Sequence, residues 1–159
     1  MITIFTDGAA RGNPGGGGWG AIIAKEFEVH EIGGKDPYTT NNKMELTAAI
    51  EALKTLEFGV EVELYTDSEY VMKGMTEWVH NWQKNGWRTA AKKPVENQDL
   101  WKDLVSASEG KNISWKYVAG HSGNEANDRC DEIATKYADH LSVELYAGSR
   151  GEYPISLKV

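Results

Sequence analysis

The sequence predicts an α/β fold in which one mixed β-sheet is covered by helices. In the first third of the chain, short segments rich in β-branched and aromatic residues are separated by glycine-rich turns, which predicts hairpin-linked antiparallel strands. Further along, apolar residues recur at helical spacing in several segments, with strand patterns between them. The resulting order, βββ-α-β-α-α-β-α, is typical of a partly antiparallel sheet flanked by helices.

Three strands are expected before residue 42. Met1 to Thr6 is rich in β-branched residues and runs into Asp7-Gly8, where the first strand should end. Ala10 to Gly18 is a glycine-proline segment that predicts a loop, followed by strands at Trp19 to Lys25 and near Val29 to Ile32. The glycines of this loop lack the Gly-Lys-Ser/Thr ending of a phosphate loop and lead into a strand, so we interpret them as a hairpin turn.

Helix and strand patterns alternate in the remainder of the chain. They comprise a helix from Asn42 that ends before Gly59, a strand over Val60, Val62 and Leu64, a helical region from Ser68 to roughly Trp82, a helix that opens at Asn97 or Gln98, a strand over Ile113, Trp115 and Tyr117, and a final helix marked by Ala126, Cys130, Ile133 and Tyr137. Gly86 separates the second helical region from a basic loop.

The bulk composition predicts a single domain over residues 1–159, and we expect a monomer. The chain has 159 residues, 40% hydrophobic and 26% charged, which is close to the average of globular proteins. Cys130 is the only cysteine, so no disulfide can form within the chain, which favours a reducing compartment. The chain has neither a signal-peptide pattern nor a run of ~18 apolar residues, so we expect a cytoplasmic protein without a membrane partner.

The net charge of −7 argues against nucleic-acid binding, because binding to phosphates depends on lysine and arginine. The distribution of charge is uneven, however. Lys84, Arg88, Lys92 and Lys93 lie close together, and only Glu96 opposes them. These residues form either a local positive patch or an ordinary solvated loop, and charge alone favours the solvated loop.

Four acidic residues lie where such a fold could bring them together. Asp7 ends the first strand, and Asp67 ends a later one. Glu45 lies in the first turn of a helix, and Asp131 lies in the final helix. Each has an ordinary structural explanation, because the first two acids suit a turn and a helix start. Glu45 has capping-box spacing from Asn42, and Asp131 can be a solvated acid.

Two of these carboxylates are expected to face the sheet. Glu45 and Asp131 each lie in line with alanines at the edge of their helix's apolar stripe. A carboxylate directed toward the sheet needs a partner, and several converging carboxylates need a cation. Ligand sets made of oxygen alone suit magnesium or manganese.

Successive motifs along the chain resemble those of bacterial type 1 ribonuclease H. They are Asp7-Gly8, Gly12-Asn-Pro-Gly15, Thr39-Thr-Asn-Asn-Lys-Met-Glu-Leu46, Tyr65-Thr-Asp-Ser68, Gly120-His121 and Asn127-Asp-Arg-Cys-Asp-Glu132. They run in order from residue 1 to about 140, and their joint occurrence makes the resemblance specific. The segment from Trp78 through Pro94 is similar to that family's basic insertion, which we call the handle (about 78–96).

The resemblance implies a ribonuclease H-like fold, in which three antiparallel strands are followed by two parallel ones in a five-stranded mixed sheet. It also implies an endonuclease that cuts the RNA strand of RNA·DNA hybrids. Asp7, Glu45, Asp67 and Asp131 would hold two Mg²⁺ ions, with Mn²⁺ as a possible substitute. Two such ions ~4 Å apart activate a water and stabilise the leaving 3′ oxygen, giving 5′-phosphate and 3′-hydroxyl ends. His121, on a loop with two glycines, would assist proton transfer or product release.

The resemblance also implies how the substrate is selected. Asn13 and Asn41 would line the minor groove of the hybrid, where only the RNA strand displays 2′-hydroxyls. Thr40 and Lys43 would lie near a DNA phosphate. Further contacts would come from the handle, with Trp78 stacking on a DNA sugar and Lys84, Arg88, Lys92 and Lys93 supplying charge. Trp82, in contrast, is expected to belong to the core.

Several residues depart from the family pattern. Glu69 stands where many relatives carry glutamine and adds a negative charge near the metal ligands, whereas Ala10 stands where some relatives carry cysteine, with little expected effect. Gln83, Asn85 and Ala91 occupy handle positions that are often basic, so hybrid binding is expected to be weaker or more sensitive to salt. The tail segment, about 142–159, shows no recognisable chemistry.

Three other functions are compatible with parts of the pattern. A resolvase or transposase of the same fold would lack the groove asparagines and the handle. A binding module without catalysis would not need all four acids, so their presence argues against this function. The unusual Glu69 beside them keeps the alternative open. A fragment of a reverse transcriptase is also conceivable, and Met1 directly before the first strand favours a free-standing protein instead.

Overall fold

The computed structural model describes residues 1–159 and confirms the predicted α/β fold. Its sheet contains β1 (Ile2–Gly12), β2 (Gly15–Ala24), β3 (Glu28–Thr39), β4 (Glu61–Thr66), β5 (Asn112–Tyr117) and β6 (Ala147–Ser149). The strand order is β5-β4-β1-β2-β3-β6. β1, β2 and β3 are antiparallel, and β4 and β5 continue the sheet in parallel from β1, as expected.

The sheet has six strands rather than the five expected. The additional strand, β6, lies in the tail segment and pairs with β3 over three residues, from Glu28 opposite Ser149 to His30 opposite Ala147. An edge strand presents unpaired backbone groups that another segment can satisfy. β6 covers part of the β3 edge in this way.

The predicted loop over Ala10 to Gly18 is largely strand. β1 continues to Gly12 and β2 begins at Gly15, so the turn is confined to Asn13 and Pro14. The glycines of β2 are needed because helices pack closely on this strand. A Cβ at Gly18 would lie 2.2 Å from the carbonyl oxygen of Ala134. The glycine content therefore reflects close packing as well as a turn.

The helices follow the predicted order. They are α1 (Asn41–Lys54), α2 (Glu69–Lys73), α3 (Val79–Asn85), α4 (Gln98–Ser108) and α5 (Glu125–Ala138). A π-helical turn over Gly74–Trp78 joins α2 to α3, and Gly86 ends α3 with a left-handed φ of 76°. None of these helices is long and apolar enough to cross a membrane.

Two apolar clusters cover the two faces of the sheet. The larger includes Leu46 and Leu53 of α1 and Trp101 and Leu104 of α4. The smaller joins residues of β1, β2 and β3 to Ala126 and Cys130 of α5. Residues of the tail segment pack against this smaller cluster, namely Tyr146, Tyr153, Ile155 and Leu157. The tail is thus part of the folded domain.

Candidate active site

Asp7 and Asp67 come together because of how β1 pairs with β4. The strands are parallel, and their last paired residues are Thr6 and Thr66, so an aspartate follows at the same level in each. β4 ends there, whereas β1 continues beside β2. The two carboxylates therefore lie where the strands separate. Asp7 is within a strand, so it does not serve as a turn residue.

Glu45 reaches the same point because α1 packs closely on β1. A Cβ at Gly8 would lie 2.5 Å from the Glu45 backbone nitrogen, so this approach requires glycine. The N-cap of α1 is Thr40, whose hydroxyl accepts a hydrogen bond of 3.2 Å from the backbone N–H of Lys43. The capping-box explanation of Glu45 through Asn42 is therefore wrong.

Asp67 likewise has no capping role. The N-cap of α2 is Ser68, whose hydroxyl accepts a hydrogen bond of 3.1 Å from the backbone N–H of Val71. The neighbouring Glu69 is exposed, and its carboxylate lies 3.9 Å from the ammonium of Lys73. This lysine partly offsets the extra negative charge that the sequence places beside the candidate metal ligands.

Three of the four predicted carboxylates form one cluster. Asp7, Glu45 and Asp67 each offer an oxygen within 4.8 Å of the others, and Asp7 and Glu45 are each only 5% exposed. The Glu45 Oε1 atom is buried and has no hydrogen-bond partner. A buried carboxylate oxygen without a partner from the protein is costly, so a positively charged ligand would stabilise the cluster.

The cluster perturbs the acidity of its members. Burial, followed by the nearby Asp67 and Asp131 charges, raises the pKa of Asp7 from 3.8 to about 8. The hydrogen bond of 2.9 Å that Asp7 accepts from Gly8 N–H only partly opposes this rise. Burial and the Asp7 charge likewise raise the pKa of Glu45 well above its usual value. Neighbouring carboxylates that cannot all ionise are a frequent property of functional sites.

A hard divalent cation fits this donor set. All the converging atoms are carboxylate oxygens, the ligands that Mg²⁺ and Mn²⁺ prefer. A cation there would give the unpartnered Glu45 oxygen its missing partner. Asp131 lies outside the group of three, half-buried on α5, but it is near enough to raise the pKa of Asp7. It stands at the rim of the cluster.

His121 lies on an exposed loop beside the acids. The loop follows β5, and His121 has a left-handed φ of 56°. A Cβ at Gly120 would lie 2.9 Å from the Asp67 Oδ2 atom, so the loop touches the cluster through a residue without a side chain. The loop is thus placed against the acids while the His121 ring remains in solvent.

The predicted groove residues also lie together. The side-chain carbonyl of Asn13 accepts a hydrogen bond of 3.1 Å from the backbone N–H of Asn41, which joins the β1–β2 turn to the start of α1. Thr40 and Lys43 belong to the same first turn. Asn13, Asn41 and Lys43 are exposed, so they form a polar surface at the amino-terminal end of the helix that carries Glu45.

The sequence interpretation missed a cavity beside Lys43. Its volume is about 480 Å³, and Asn97 and Gln98 also line it. Asn97 has a left-handed φ of 59°, and its side-chain amide donates to the Tyr70 hydroxyl at 3.1 Å instead of capping α4. One feature of the sequence could have indicated the unusual backbone at Asn97. The start of the helix was ambiguous between Asn97 and Gln98, and asparagine adopts the left-handed conformation more readily than most residues.

The handle carries aromatic and basic groups on one surface. Trp78, Trp82, Lys84 and Arg88 line a cleft of about 440 Å³. The rings of Trp78 and Trp82 are 5.8 Å apart, and both pack against the larger apolar cluster while remaining half-exposed. Trp82 is therefore at the edge of the core rather than within it.

The basic residues of the handle differ in how they are held. The Arg88 guanidinium donates to the carbonyl of Lys92 at 3.1 Å, and the Arg88 backbone pairs with Pro94. The ammonium groups of Lys84, Lys92 and Lys93 are exposed and belong to no ion pair in the structure. These three charges are free to meet phosphates.

The structure also reveals a buried ion pair that the sequence interpretation missed. Glu31 accepts hydrogen bonds from Arg129 at 2.8 and 2.9 Å, from Tyr146 N–H at 2.8 Å and from the Tyr153 hydroxyl at 2.6 Å. Burial alone would raise the pKa of Glu31, but these donors, Arg129 foremost, hold it below its usual value. The sequence could have indicated this buried acid, because Glu31 lies two residues after the apolar Val29 in a predicted strand, and such residues share one face of the sheet.

Comparison with known families supports the resemblance found in the sequence. The family model described as RNase H matches residues 1–139. A Ribonuclease H of Chromohalobacter salexigens is 48% identical over 151 residues, which cover 95% of this chain and 92% of that protein. One from Thermosynechococcus vestitus is 56% identical over 146 residues, covering 89% and 91%.

Solved structures of related proteins share the fold. LC9-RNase H1, a type 1 RNase H with the type 2 active-site motif, aligns with a TM-score of 0.77 at 30% identity, covering 94% of this chain and 74% of that one. LC11-RNase H1, solved in complex with an RNA/DNA hybrid, aligns with a TM-score of 0.68 at 27% identity, covering 88% and 98%.

Proposed function

The chain belongs to the RNase H family, and we propose that it is an endonuclease that hydrolyses the RNA strand of RNA·DNA hybrids. The observation that carries this proposal is the cluster of Asp7, Glu45 and Asp67, whose oxygens converge around a buried atom without a partner. The structure of LC11-RNase H1 with an RNA/DNA hybrid supports the choice of substrate.

The four acids would hold two Mg²⁺ ions, with Asp131 completing the ligand set from the rim. When bound, such ions supply an activated water and stabilise the leaving 3′ oxygen. The water oxygen bonds to phosphorus as the bond to the 3′ oxygen breaks, which leaves 5′-phosphate and 3′-hydroxyl ends. His121 is exposed beside the cluster and can carry a proton between solvent and the reacting groups.

The polar surface at the start of α1 would recognise the two strands. The Asn13 side-chain carbonyl accepts from the Asn41 backbone N–H, which holds the two residues together, and their exposed side chains would read 2′-hydroxyls. Thr40 and Lys43, in the first turn of α1, would bind a DNA phosphate. This arrangement would require RNA on one strand and DNA on the other.

The handle would extend binding along the hybrid. Trp78 lies at the edge of the handle cleft, where its exposed face can stack on a DNA sugar. Lys84, Lys92 and Lys93 have unpaired ammonium groups, and Arg88 lines the same cleft as Trp78. Together they offer a local positive surface on a chain whose net charge is −7.

The test is cleavage of end-labelled nucleic acids by the purified protein. We expect cutting of the RNA strand of an RNA·DNA hybrid in magnesium, and none of duplex DNA or duplex RNA. Chelation should abolish cutting, and the Asp67→Asn variant, which keeps the size of the side chain, should be inactive. Equal cutting of duplex DNA would instead indicate a junction- or DNA-directed nuclease of this fold.

A further inference from the structure

The tail segment 142–159 lies outside the residues that match the family model, yet it contacts the start of α5, the helix that carries Asp131. Two hydrogen bonds join it to the start of α5. The Glu125 carboxylate accepts from Ser156 N–H at 2.7 Å, and the Asn124 side-chain amide donates to the carbonyl of Lys158 at 3.0 Å. The tail therefore holds the two residues that follow the His121 loop directly.

Asn124 has two roles at this point. Its side-chain oxygen accepts a hydrogen bond of 2.8 Å from Asn127 N–H and caps α5, while its amide nitrogen binds the tail. One side chain thus fixes both the first turn of the helix and the tail. The tail is therefore joined through Asn124 to the residue that directly follows the loop.

The His121 loop, Gly120–Gly123, is held at its other end by the sheet. Val118 N–H donates to the carbonyl of Thr66 at 3.0 Å, and Gly120 lies against Asp67. Between the two ends, His121 and Gly123 adopt left-handed φ values of 56° and 90°. The fixed ends leave a short, exposed loop whose position depends on both of them.

The tail is itself firmly attached, so it can act as a support. Tyr146 and Tyr153 donate to the buried Glu31, and Ile155 and Leu157 pack against the smaller apolar cluster. Tyr153 and Ile155 lie within three residues before Ser156, and Leu157 lies between Ser156 and Lys158, the two residues that bind the start of α5. A flexible tail could not restrain the loop, whereas this one is fixed on the body of the domain.

We propose that residues 153–158 act as a brace for the His121 loop, and that Asn124 is a positioning residue for His121. The inference rests on the proposed function, because it assigns the brace to the same reaction. The brace reduces the number of positions open to the loop, so His121 spends more of its time beside the acids. Its loss should lower kcat and leave KM unchanged, since the groove and the handle are untouched.

Asn124→Asp is the sharpest variant. Aspartate keeps the oxygen that caps α5 but cannot donate to Lys158, and it is nearly the same size. A second variant ends the chain after Ile155 and removes both hydrogen bonds. Asn124→Asp should lower kcat roughly two- to fivefold, the size expected for the net contribution of one hydrogen bond, and the truncation should lower it at least as much. Lys158→Ala is the matched control, because its backbone carbonyl remains, and its kcat should equal that of the parent.

The same changes in a His121→Ala background should have no further effect on kcat, since the brace acts through that side chain. The proposal would be overturned if kcat fell by the same factor in the His121→Ala background. It would also be overturned if both variants left kcat unchanged, or raised it, in the parent background. NMR order parameters of Gly120 to Asn124 in the metal-free protein add a readout independent of cleavage. They should fall in Asn124→Asp, and unchanged values would also overturn the brace. Failure of the parent to cut hybrid would instead reject the proposed function.

Discussion

The three clustered carboxylates store repulsion in the folded, metal-free protein. Asp7, Glu45 and Asp67 are brought together by strand pairing and by the close packing of α1, and Glu45 Oε1 has no partner. The clustered carboxylates should therefore lower the free energy of unfolding of the metal-free protein. Residue substitutions can test this directly, because an amide removes charge with little change of shape.

Asp7→Asn should abolish cleavage and make the metal-free protein more stable. At pH 8 or above, where Asp7 is ionised in the folded protein, removing its charge relieves about 1 kcal/mol of repulsion at an effective dielectric near 20. For a domain of this size the Tm in chelator should rise by roughly 2 to 6 °C. Magnesium should stabilise the parent more than the variant, so the gap should narrow or invert in excess ion. A lower Tm in chelator would show that Asp7 is needed structurally.

The stability gained in Asp7→Asn should depend on pH. The folded pKa of Asp7 is raised from 3.8 to about 8, so the folded state binds more protons than the unfolded state between these values. The parent's metal-free stability should then decline as pH rises from about 4 to 8. Melts of both proteins in chelator should give nearly equal Tm values near pH 4 and the largest difference at pH 8 or above. A difference that does not change with pH would contradict the raised pKa.

His121→Ala should reduce the cleavage rate and leave it measurable. Its ring is exposed on a loop, so water can partly replace it in moving a proton, whereas nothing replaces a metal ligand. Steady-state rates beside those of Asp67→Asn provide the comparison. A loss as complete as that of Asp67→Asn would mean that His121 is indispensable.

Among the larger elements, the handle presents its basic groups as a separate surface. Its tryptophans pack on the core while Lys84, Lys92 and Lys93 extend into solvent. The contribution of these lysines should therefore be electrostatic binding and not chemistry. Such binding weakens with salt in proportion to the number of phosphates contacted.

Changing Lys92 and Lys93 together to Ala should raise the KM for hybrid with little effect on kcat. Each lost phosphate contact should reduce the slope of log affinity against log salt by up to roughly one unit. The matched control is the double variant Lys25→Ala, Lys54→Ala, which removes the same total charge. Lys25 directly follows β2 and Lys54 ends α1, so both lie at the ends of these elements opposite to Asn13 and Asn41. If the slope stays unchanged in the handle variant, these lysines lie off the binding surface.

On the scale of the whole molecule, the Glu31–Arg129 pair joins the sheet, α5 and the tail. Arg129 donates to Glu31, to Glu132 and to the carbonyl of Glu144, and its side chain is only 15% exposed. A buried pair adds little beyond its desolvation cost, but breaking it leaves an unpaired charge inside the protein. Its loss should therefore destabilise the domain as a unit.

Glu31→Ala should lower the free energy of unfolding by about 3 kcal/mol, the lower end of the range for breaking a buried pair, because Arg129 can recover some hydration. Denaturant unfolding measures this directly. Glu28→Ala on the same strand is the control, since its contacts with Lys25 and His30 are exposed and 3.5 Å or longer. It should change stability by less than ~0.5 kcal/mol. A similar effect of the two variants would mean that the buried pair is not structurally important.

The sequence by itself determined the order and type of most elements, with β6 and the full lengths of β1 and β2 as exceptions. Periods of two and 3.6 residues are local properties, so the strand at Ile113 to Tyr117 and the helix before Gly59 could be assigned from neighbouring residues alone. The family motifs likewise identified Asp7, Glu45 and Asp67 as candidate ligands, and the structure brings those three together. Asp131 was proposed with them but lies at the rim.

Only the tertiary structure decided which segments meet across the sheet. The glycines after Ala10 are locally typical of a loop, yet they lie in paired strands β1 and β2. Glycine is needed at several of these positions because α5 and α1 pack directly on the strands. β6 forms by pairing with a strand far away in the sequence, and the burial of Glu31 depends on partners 98 to 122 residues away. Hydrogen bonds and ion pairs of this kind join residues far apart in the chain, so local patterns carry no record of them.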